Sequence, residues 1–312
     1  LPEHGIDPLV LTGGVGSLSR TNEFRGEWHQ HGAELVSEGD ITQEFAGAHP
    51  SLIIVGLVGS IDNGMVGTDM TIGADTALHR ILDAIDQLTS TAASHQRTFV
   101  VEVMGRHCGY LPLMAAVAGG ADYVFTPEDP AGQGWQDDLA EHLRLGREAG
   151  RRESIVLVAE GAHDRDGNEL STQLIADTIQ ERTGEDARVT ILGHVQRGGT
   201  PSAYDRWMST LLGYAAVQEI LASSAEDDPV ILGVRRNRIT RIPLMKAVHD
   251  TRAVKDLIAA GDYAAAQASR GSSFSSMVGI NQILSTPPQL TPSRRATSSA
   301  SRFCTQVVWP PA

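Results

Sequence analysis

Residues 56–77, GLVGSIDNGMVGTDMTIGADTA, constrain this chain more than any other stretch. A short apolar run, Ser51-Leu52-Ile53-Ile54-Val55, leads into them and reads as a buried strand bounded by turn formers. The strand empties into Gly59-Ser60-Ile61-Asp62-Asn63-Gly64, where glycine lets the backbone turn sharply and come close to a ligand. Ser60, Asp62, Thr68 and Asp69 crowd the same segment. Leu78, Ile81, Leu82, Ile85 and Leu88 then recur at the spacing of a helix with one buried face. A strand feeding a polar, glycine-bearing loop at a helix start is where open α/β sheets place their ligands. A solvated turn whose aspartates cap the helix would give the same local pattern.

The same unit recurs along the chain. Pro8 to Thr12 is a short strand that runs into Gly13-Gly14-Val15-Gly16-Ser17, followed by a polar, amphipathic segment through Trp28 to Val36. Strand, glycine loop and helix present backbone N–H groups to a phosphate, although many such turns are glycine-rich for steric reasons alone. Arg97 to Val103 is a buried strand ending in Met104-Gly105-Arg106-His107-Cys108-Gly109. An apolar helix from Leu113, a strand Tyr123-Val124-Phe125 and a surface helix from Trp135 to Arg147 come next. Ser154 to Val158 delivers Glu160 to a loop. Leu170 to Thr183 is helical, and Arg188 to Leu192 is a strand that ends in Gly193-His194-Val195-Gln196-Arg197-Gly198-Gly199. A helix at 202–221 and a strand at 230–234 continue the alternation, which specifies parallel, doubly wound sheets. From Ser285 the composition turns to Pro, Ser, Thr and Arg without periodicity, and residues 285–312 read as a disordered tail.

Composition excludes several classes. A formal charge of −13 argues against general nucleic-acid binding, which needs a basic face. No apolar run reaches the length of a membrane span, and the start does not resemble a signal peptide. Cys108 and Cys304 are too few for a disulfide framework or a thiolate metal site, so a cytoplasmic location is expected. Lys246 and Lys255 are the only lysines. Polar groups gather where strands end, except Arg97 and Arg188, which stand at strand beginnings, on the opposite edge.

Three segments, GSIDNGMVGTDMTIGADTA, SHQRTFVVEVMGRHCGYLPLMA and ILGHVQRGGTPSAYDR, occur in the order in which ATP-dependent 6-phosphofructokinases carry them. The chain resembles that family over residues 5 to 280, the eukaryotic, fungal-type form most closely. The resemblance implies two Rossmann-like domains and transfer of phosphate from Mg-ATP to the 1-hydroxyl of fructose 6-phosphate. It implies that Asp62 is the catalytic base and that Ser60 contacts the sugar phosphate and the transferring group. Met104, Gly105 and Arg106 would hold fructose 6-phosphate, Glu160 would bind a sugar hydroxyl, and His194 and Arg197 would grip the 6-phosphate. Arg97 and Arg188 would serve a neighbouring subunit in a homo- or hetero-oligomer. Gly14, Gly16 and Ser17 would face the nucleotide. These residue types suit phosphoryl transfer, which needs positioning, positive charge around phosphates and one carboxylate for the hydroxyl proton. Pyrophosphate-using relatives carry aspartate in place of Gly16 and lysine in place of Gly59, so the donor is expected to be ATP.

The chain departs from the family at the donor side. The family's glycine loop reads GGDGS, and its aspartate helps hold Mg²⁺; Val15 stands there instead. The second aspartate of IDND is replaced by Gly64. The chain starts at Leu1, close to the GGVGS strand, which reads as a truncated start and an incomplete nucleotide domain. The expected division is 1–73 with about 198–250 for the remnant of the ATP domain, 74–197 for the sugar-phosphate domain and 251–284 for a C-terminal helical segment. An active kinase is one expectation. A catalytically impaired sugar-phosphate-binding paralogue, or a non-catalytic subunit, is the other.

Overall fold

In a computed structural model that describes residues 4, 6–95, 97–224 and 226–287, the strand–helix alternation resolves into two four-stranded sheets. In chain order the elements are β1 (Pro8–Gly13), α1 (Val15–Gly26), α2 (Trp28–Glu38), α3 (Gln43–Ala48), β2 (Ile53–Val58), α4 (Ala74–His95), β3 (Thr98–Val103) and α5 (Tyr110–Gly119). There follow β4 (Tyr123–Phe125), α6 (Trp135–Glu148), β5 (Ser154–Ala159), α7 (Thr172–Thr183), β6 (Ala187–Ile191) and a 3₁₀ turn at Gly193–Arg197. The last elements are α8 (Ala203–Ala222), β7 (Val230–Arg235), β8 (Arg238–Pro243), α9 (Leu244–Ala259), α10 (Tyr263–Arg270) and α11 (Ser272–Ser285).

One sheet has the order β1-β2-β7-β8, and the other β4-β5-β3-β6. Every pairing is parallel except β7 with β8. β2 and β5 are apolar almost throughout because helices cover both faces of their sheets, the usual condition of parallel strands. On the β4-β5-β3-β6 sheet, Ile81 and Ile85 of α4 and Leu111 of α5 pack on Val101 of β3 in one core, and Leu139 and Leu143 of α6 and Ile175 of α7 on Val156 of β5 in the other. In the β1-β2-β7-β8 sheet, Leu18 of α1 and Val248 of α9 pack on one face, and Met208 and Leu212 of α8 on the other.

The strand into the organising loop runs on through Gly56, Leu57 and Val58, three residues beyond the apolar run read from the sequence. To the expected parallel, doubly wound sheets the structure adds one antiparallel edge strand, β8. This edge strand, RITRIP, returns through Arg236 and Asn237, both at positive φ (50° and 61°), as a tight hairpin with mirror-image turn geometry requires. Asp69 accepts the Arg236 N–H at 2.7 Å and stabilises that turn. Two segments carry the chain between the sheets, α4 outward from the β2 loop and α8 on the return. They are tied at their starts: buried Asp205 of α8 accepts the N–H groups of Gly73 and Thr76, each at 2.8 Å, and the Thr76 hydroxyl. Of the tail expected over 285–312, Ser285 is the last residue of α11, and residues 288–312 lie outside the described residues.

Candidate active site

The carboxyl ends of β1, β2 and β3 and the 3₁₀ turn after β6 converge on a cleft of about 940 Å³. Its lining contains Gly14, Val15, Gly16 and Ser17 from the β1–α1 loop, and Gly59, Ser60 and Asp62 from the β2–α4 loop. Gly105, Arg106 and Cys108 come from the β3–α5 loop, Arg197 from the 3₁₀ turn, and Arg252, Lys255 and Asp256 from α9. Loops separated by more than a hundred residues thus meet because parallel strands all point their carboxyl ends the same way.

Asp62 is the carboxylate at the centre of this arrangement. Burial raises its pKa above the ordinary aspartate range, and Arg106, Arg197 and Arg270 oppose that rise while Glu160 reinforces it. A half-buried carboxylate beside arginines combines a group that holds its proton more tightly with a site for anions. Its N–H donates to Ser60 Oγ at 3.3 Å. The two loops that face each other both hold a non-glycine residue in the left-handed region, Asn63 at φ 50° and Arg106 at φ 52°. Such conformations persist only where surroundings over-determine them. Asn63 is held by its side chain, which donates to Asp69 O at 3.1 Å and accepts from Thr71 N at 2.7 Å.

The Met104–Arg106 loop is built from below. Glu160 accepts the N–H of Gly105 at 3.4 Å and of Arg106 at 3.1 Å, so its carboxylate braces the loop rather than lining the cleft. Gln196, 1 % exposed, accepts the Met104 N–H at 3.2 Å and donates to Gly193 O at 2.9 Å, which fixes the 3₁₀ turn that carries His194 and Arg197. A Cβ at Gly161 would stand 2.0 Å from the Arg106 carbonyl oxygen, so only glycine lets the Glu160 loop approach this closely. The structure therefore brings Ser60, Asp62, Gly105, Arg106 and Arg197 onto one cavity wall with Gly14, Gly16 and Ser17. Met104, Glu160 and His194 are not part of that wall; Glu160 and His194 are exposed beside it. Gln196, Glu128 and Arg270 were not singled out from the sequence; Gln196 sits between Val195 and Arg197 and Glu128 between Pro127 and Asp129, where nothing local marks burial.

On the donor side, α1 follows Gly14 as its N-cap and points its N-terminus, free of a side-chain cap and at the positive dipole end, at the cleft. A side chain at Gly16 would project into open space, whereas a Cβ at Gly59 would meet the Thr12 methyl at 2.8 Å. Val15 packs against the Leu18, Ile54 and Ile231 core and offers no oxygen. Among the described residues no group of three His, Cys, Asp or Glu side chains could hold a metal ion, and the only carboxylates on the cleft wall are Asp62 and Asp256. The residues present do not fit a Mg²⁺ site at the glycine loop.

Arg97 and Arg188 lie at the opposite edge of their sheet, outside the cleft lining. Both pair with Asp186, Arg97 Nε at 2.8 Å and Arg188 Nη2 at 3.0 Å. Arg97 is half-buried and Arg188 exposed, and neither lines the cleft.

Two mostly parallel sheets, a helix start suited to phosphate, a carboxylate among arginines and crossover helices between the sheets define an α/β fold with an anion-suited cleft. The phosphofructokinase family model matches residues 1–220, and the chain belongs to that family. It is 47% identical over 284 residues to the human liver-type ATP-dependent 6-phosphofructokinase, covering 91% of this chain and 36% of that protein. It is 50% identical over 271 residues to the Aspergillus niger ATP-dependent 6-phosphofructokinase, covering 86% and 35%. The structure of phosphofructokinase from Saccharomyces cerevisiae superposes with a TM-score of 0.88 at 47% identity, covering 90% of this chain and 38% of that one. The chain thus spans about a third of the length of the relatives it matches.

Proposed function

We propose that the cleft binds fructose 6-phosphate and serves its phosphorylation at the 1-hydroxyl by ATP, with Asp62 as the base. The observation that supports this most directly is the half-buried Asp62 facing Arg106 and Arg197 across one cavity. Asp62 would take the hydroxyl proton as that oxygen attacks the γ-phosphorus, and the arginines would hold phosphate oxygens and spread the developing charge. Glu160 and Gln196 would keep the Met104–Arg106 loop in its strained shape before substrate arrives. His194 and Arg197 would share the 6-phosphate, and Arg97 and Arg188, freed from Asp186, would serve the same site on a neighbouring subunit. The nucleotide would lie along Gly14, Gly16 and Ser17, at the start of α1.

Val15 favours a second reading, in which the chain binds the sugar phosphate but turns over little ATP. In the family's own pattern an aspartate there helps hold Mg²⁺, and the side chains around Val15 supply no substitute. Isothermal titration with fructose 6-phosphate and a coupled kinase assay separate the readings. Saturable heat with turnover that falls about 10²–10⁴-fold in Asp62→Ala is the result for an active kinase. Saturable heat with negligible turnover, raised by Val15→Asp, is the result for the binding module. No saturation at millimolar sugar phosphate by folded protein would overturn both.

A further inference from the structure

Arg270, the last residue of α10, is part of the cleft lining. Its side chain is 7 % exposed, and each arm of the guanidinium has a different partner. Nη1 donates to the Gly64 carbonyl at 2.6 Å, in the loop that carries Asp62. Nη2 donates to the His107 carbonyl at 2.6 Å, in the loop that carries Arg106. Nε pairs with the Glu128 carboxylate at 2.9 Å, and Glu128 is fully buried. The other oxygen of Glu128 accepts the Gly109 N–H at 2.9 Å, at the start of α5. Gln267, one turn earlier on α10, donates to the Glu128 carbonyl at 2.9 Å. One planar cation therefore joins the β2–α4 loop of the first sheet to the β3–α5 loop of the second. A buried carboxylate neutralises it.

We propose that Arg270 is a positioning residue that sets the width of the catalytic cleft by clamping the Asp62 loop to the Arg106 loop. The assignment rests on the fructose 6-phosphate reading of the same cleft. The clamp works through backbone carbonyls, so it does not depend on which side chains stand at 64 and 107. It requires arginine, because only a rigid fork reaches three acceptors in three directions; an ammonium presents a single point. A Cβ on Gly64 would sit 3.3 Å from Arg270 Nη1, so a side chain there would press the guanidinium aside by a few tenths of an ångström. The charged groups facing Asp62 are Arg106 and Glu160 from the loops, Arg197 from the 3₁₀ turn and Arg270 from α10. Arg252, Lys255 and Asp256 of α9 line the same cavity. Arg270 thus also contributes one of the three cations that hold down the Asp62 pKa against its burial.

The test compares the full chain with Arg270→Lys and with the double variant Arg270→Met/Glu128→Gln, which avoids stranding a buried carboxylate. Hydrogen–deuterium exchange is read at residues 62–66 and 105–109 and, as reference, at β5 and α7. In the double variant both loop segments should exchange at least about tenfold faster, with the reference unchanged, as expected for losing two charge-assisted hydrogen bonds. In Arg270→Lys at least one of the two segments should remain accelerated. By carboxyl ¹³C titration, Asp62 should lose its proton at higher pH in the double variant and near the wild-type pH in Arg270→Lys. Fructose 6-phosphate affinity should fall about tenfold in both. Wild-type exchange at both loops in both variants would overturn the proposal. So would equal acceleration of the reference segments, which would make Arg270 a general contributor to folding. If the double variant does not fold, the Arg270→Lys comparison decides alone. If wild type binds no sugar phosphate, the functional reading falls, yet the exchange and titration results still decide whether Arg270 clamps the loops.

Discussion

Asp62 shows how one residue couples the stability of this fold to its chemistry. Burial holds its proton to higher pH in the folded chain than in the unfolded chain. The sign of the consequence follows: stability is fullest below the unfolded aspartate pKa, about 3.9, and declines as pH rises through the higher folded value. Asp62→Asn removes the charge that must otherwise be buried. It is therefore expected to melt at higher temperature than wild type at pH 7–8, with the difference closing near pH 3; calorimetry across that range checks it. A variant that melts lower at neutral pH would mean that the arginines outweigh the burial. The same shift places the acid limb of any pH–rate profile above the ordinary carboxylate range. Arg106→Gln or Arg197→Gln should move it further up, since each arginine opposes the rise.

Among the elements, the crossovers and the braced loops decide whether the cleft exists at all. Asp205 caps the start of α4 from the start of α8, so its loss would loosen both connections between the sheets. Asp205→Ala should cost about 2 kcal/mol, the upper end of capping effects, readable as a lower urea midpoint at unchanged slope. A cost below a few tenths of a kcal/mol would show that α4 needs no such cap. Gly161→Ala tests the loops in a different way. An added methyl cannot coexist with the Arg106 carbonyl 2.0 Å away, so the Met104–Arg106 loop must shift. The expected outcome is a protein whose circular dichroism is unchanged and whose fructose 6-phosphate affinity is at least about tenfold weaker, as when one good hydrogen bond to a charged ligand is lost. Unaltered affinity would show that this loop is not part of the sugar-phosphate site.

At the scale of the whole molecule, α8 presents Trp207, Leu211, Tyr214, Val217 and Leu221 outward, between 42% and 76% exposed, beside the exposed Ile239 of β8. A contiguous apolar stripe of this kind marks an association surface. Sedimentation velocity should show concentration-dependent association that Tyr214→Glu/Leu221→Glu reduces; an unmodified chain that stays monomeric at high concentration would contradict it. How much of this molecule was legible in its sequence depends on range. The strands, their order of appearance, the three loop motifs and Val15 at the glycine loop are local facts. Each is set by side-chain periodicity or by residue type at a turn, and the structure places all but Met104, Glu160 and His194 of the single-cleft candidates on one wall. β8 was missed because only Thr240 and Ile242 of its six residues are half-buried, too few to print an alternation, and its turn uses Arg236-Asn237 instead of a glycine pair. Gln196, Glu128, Asp205 and Arg270 were passed over because their meaning lies in partners far along the chain: Arg270 meets Gly64 across 206 residues and Asp205 meets Thr76 across 129. The sequence by itself determined the α/β alternation, the chemistry available at each strand end and the missing oxygen at position 15. Only the tertiary structure decided which of those groups are buried, which arginines face Asp62 and what clamps the two loops together, because desolvation and Coulomb energy depend on distances that packing alone creates.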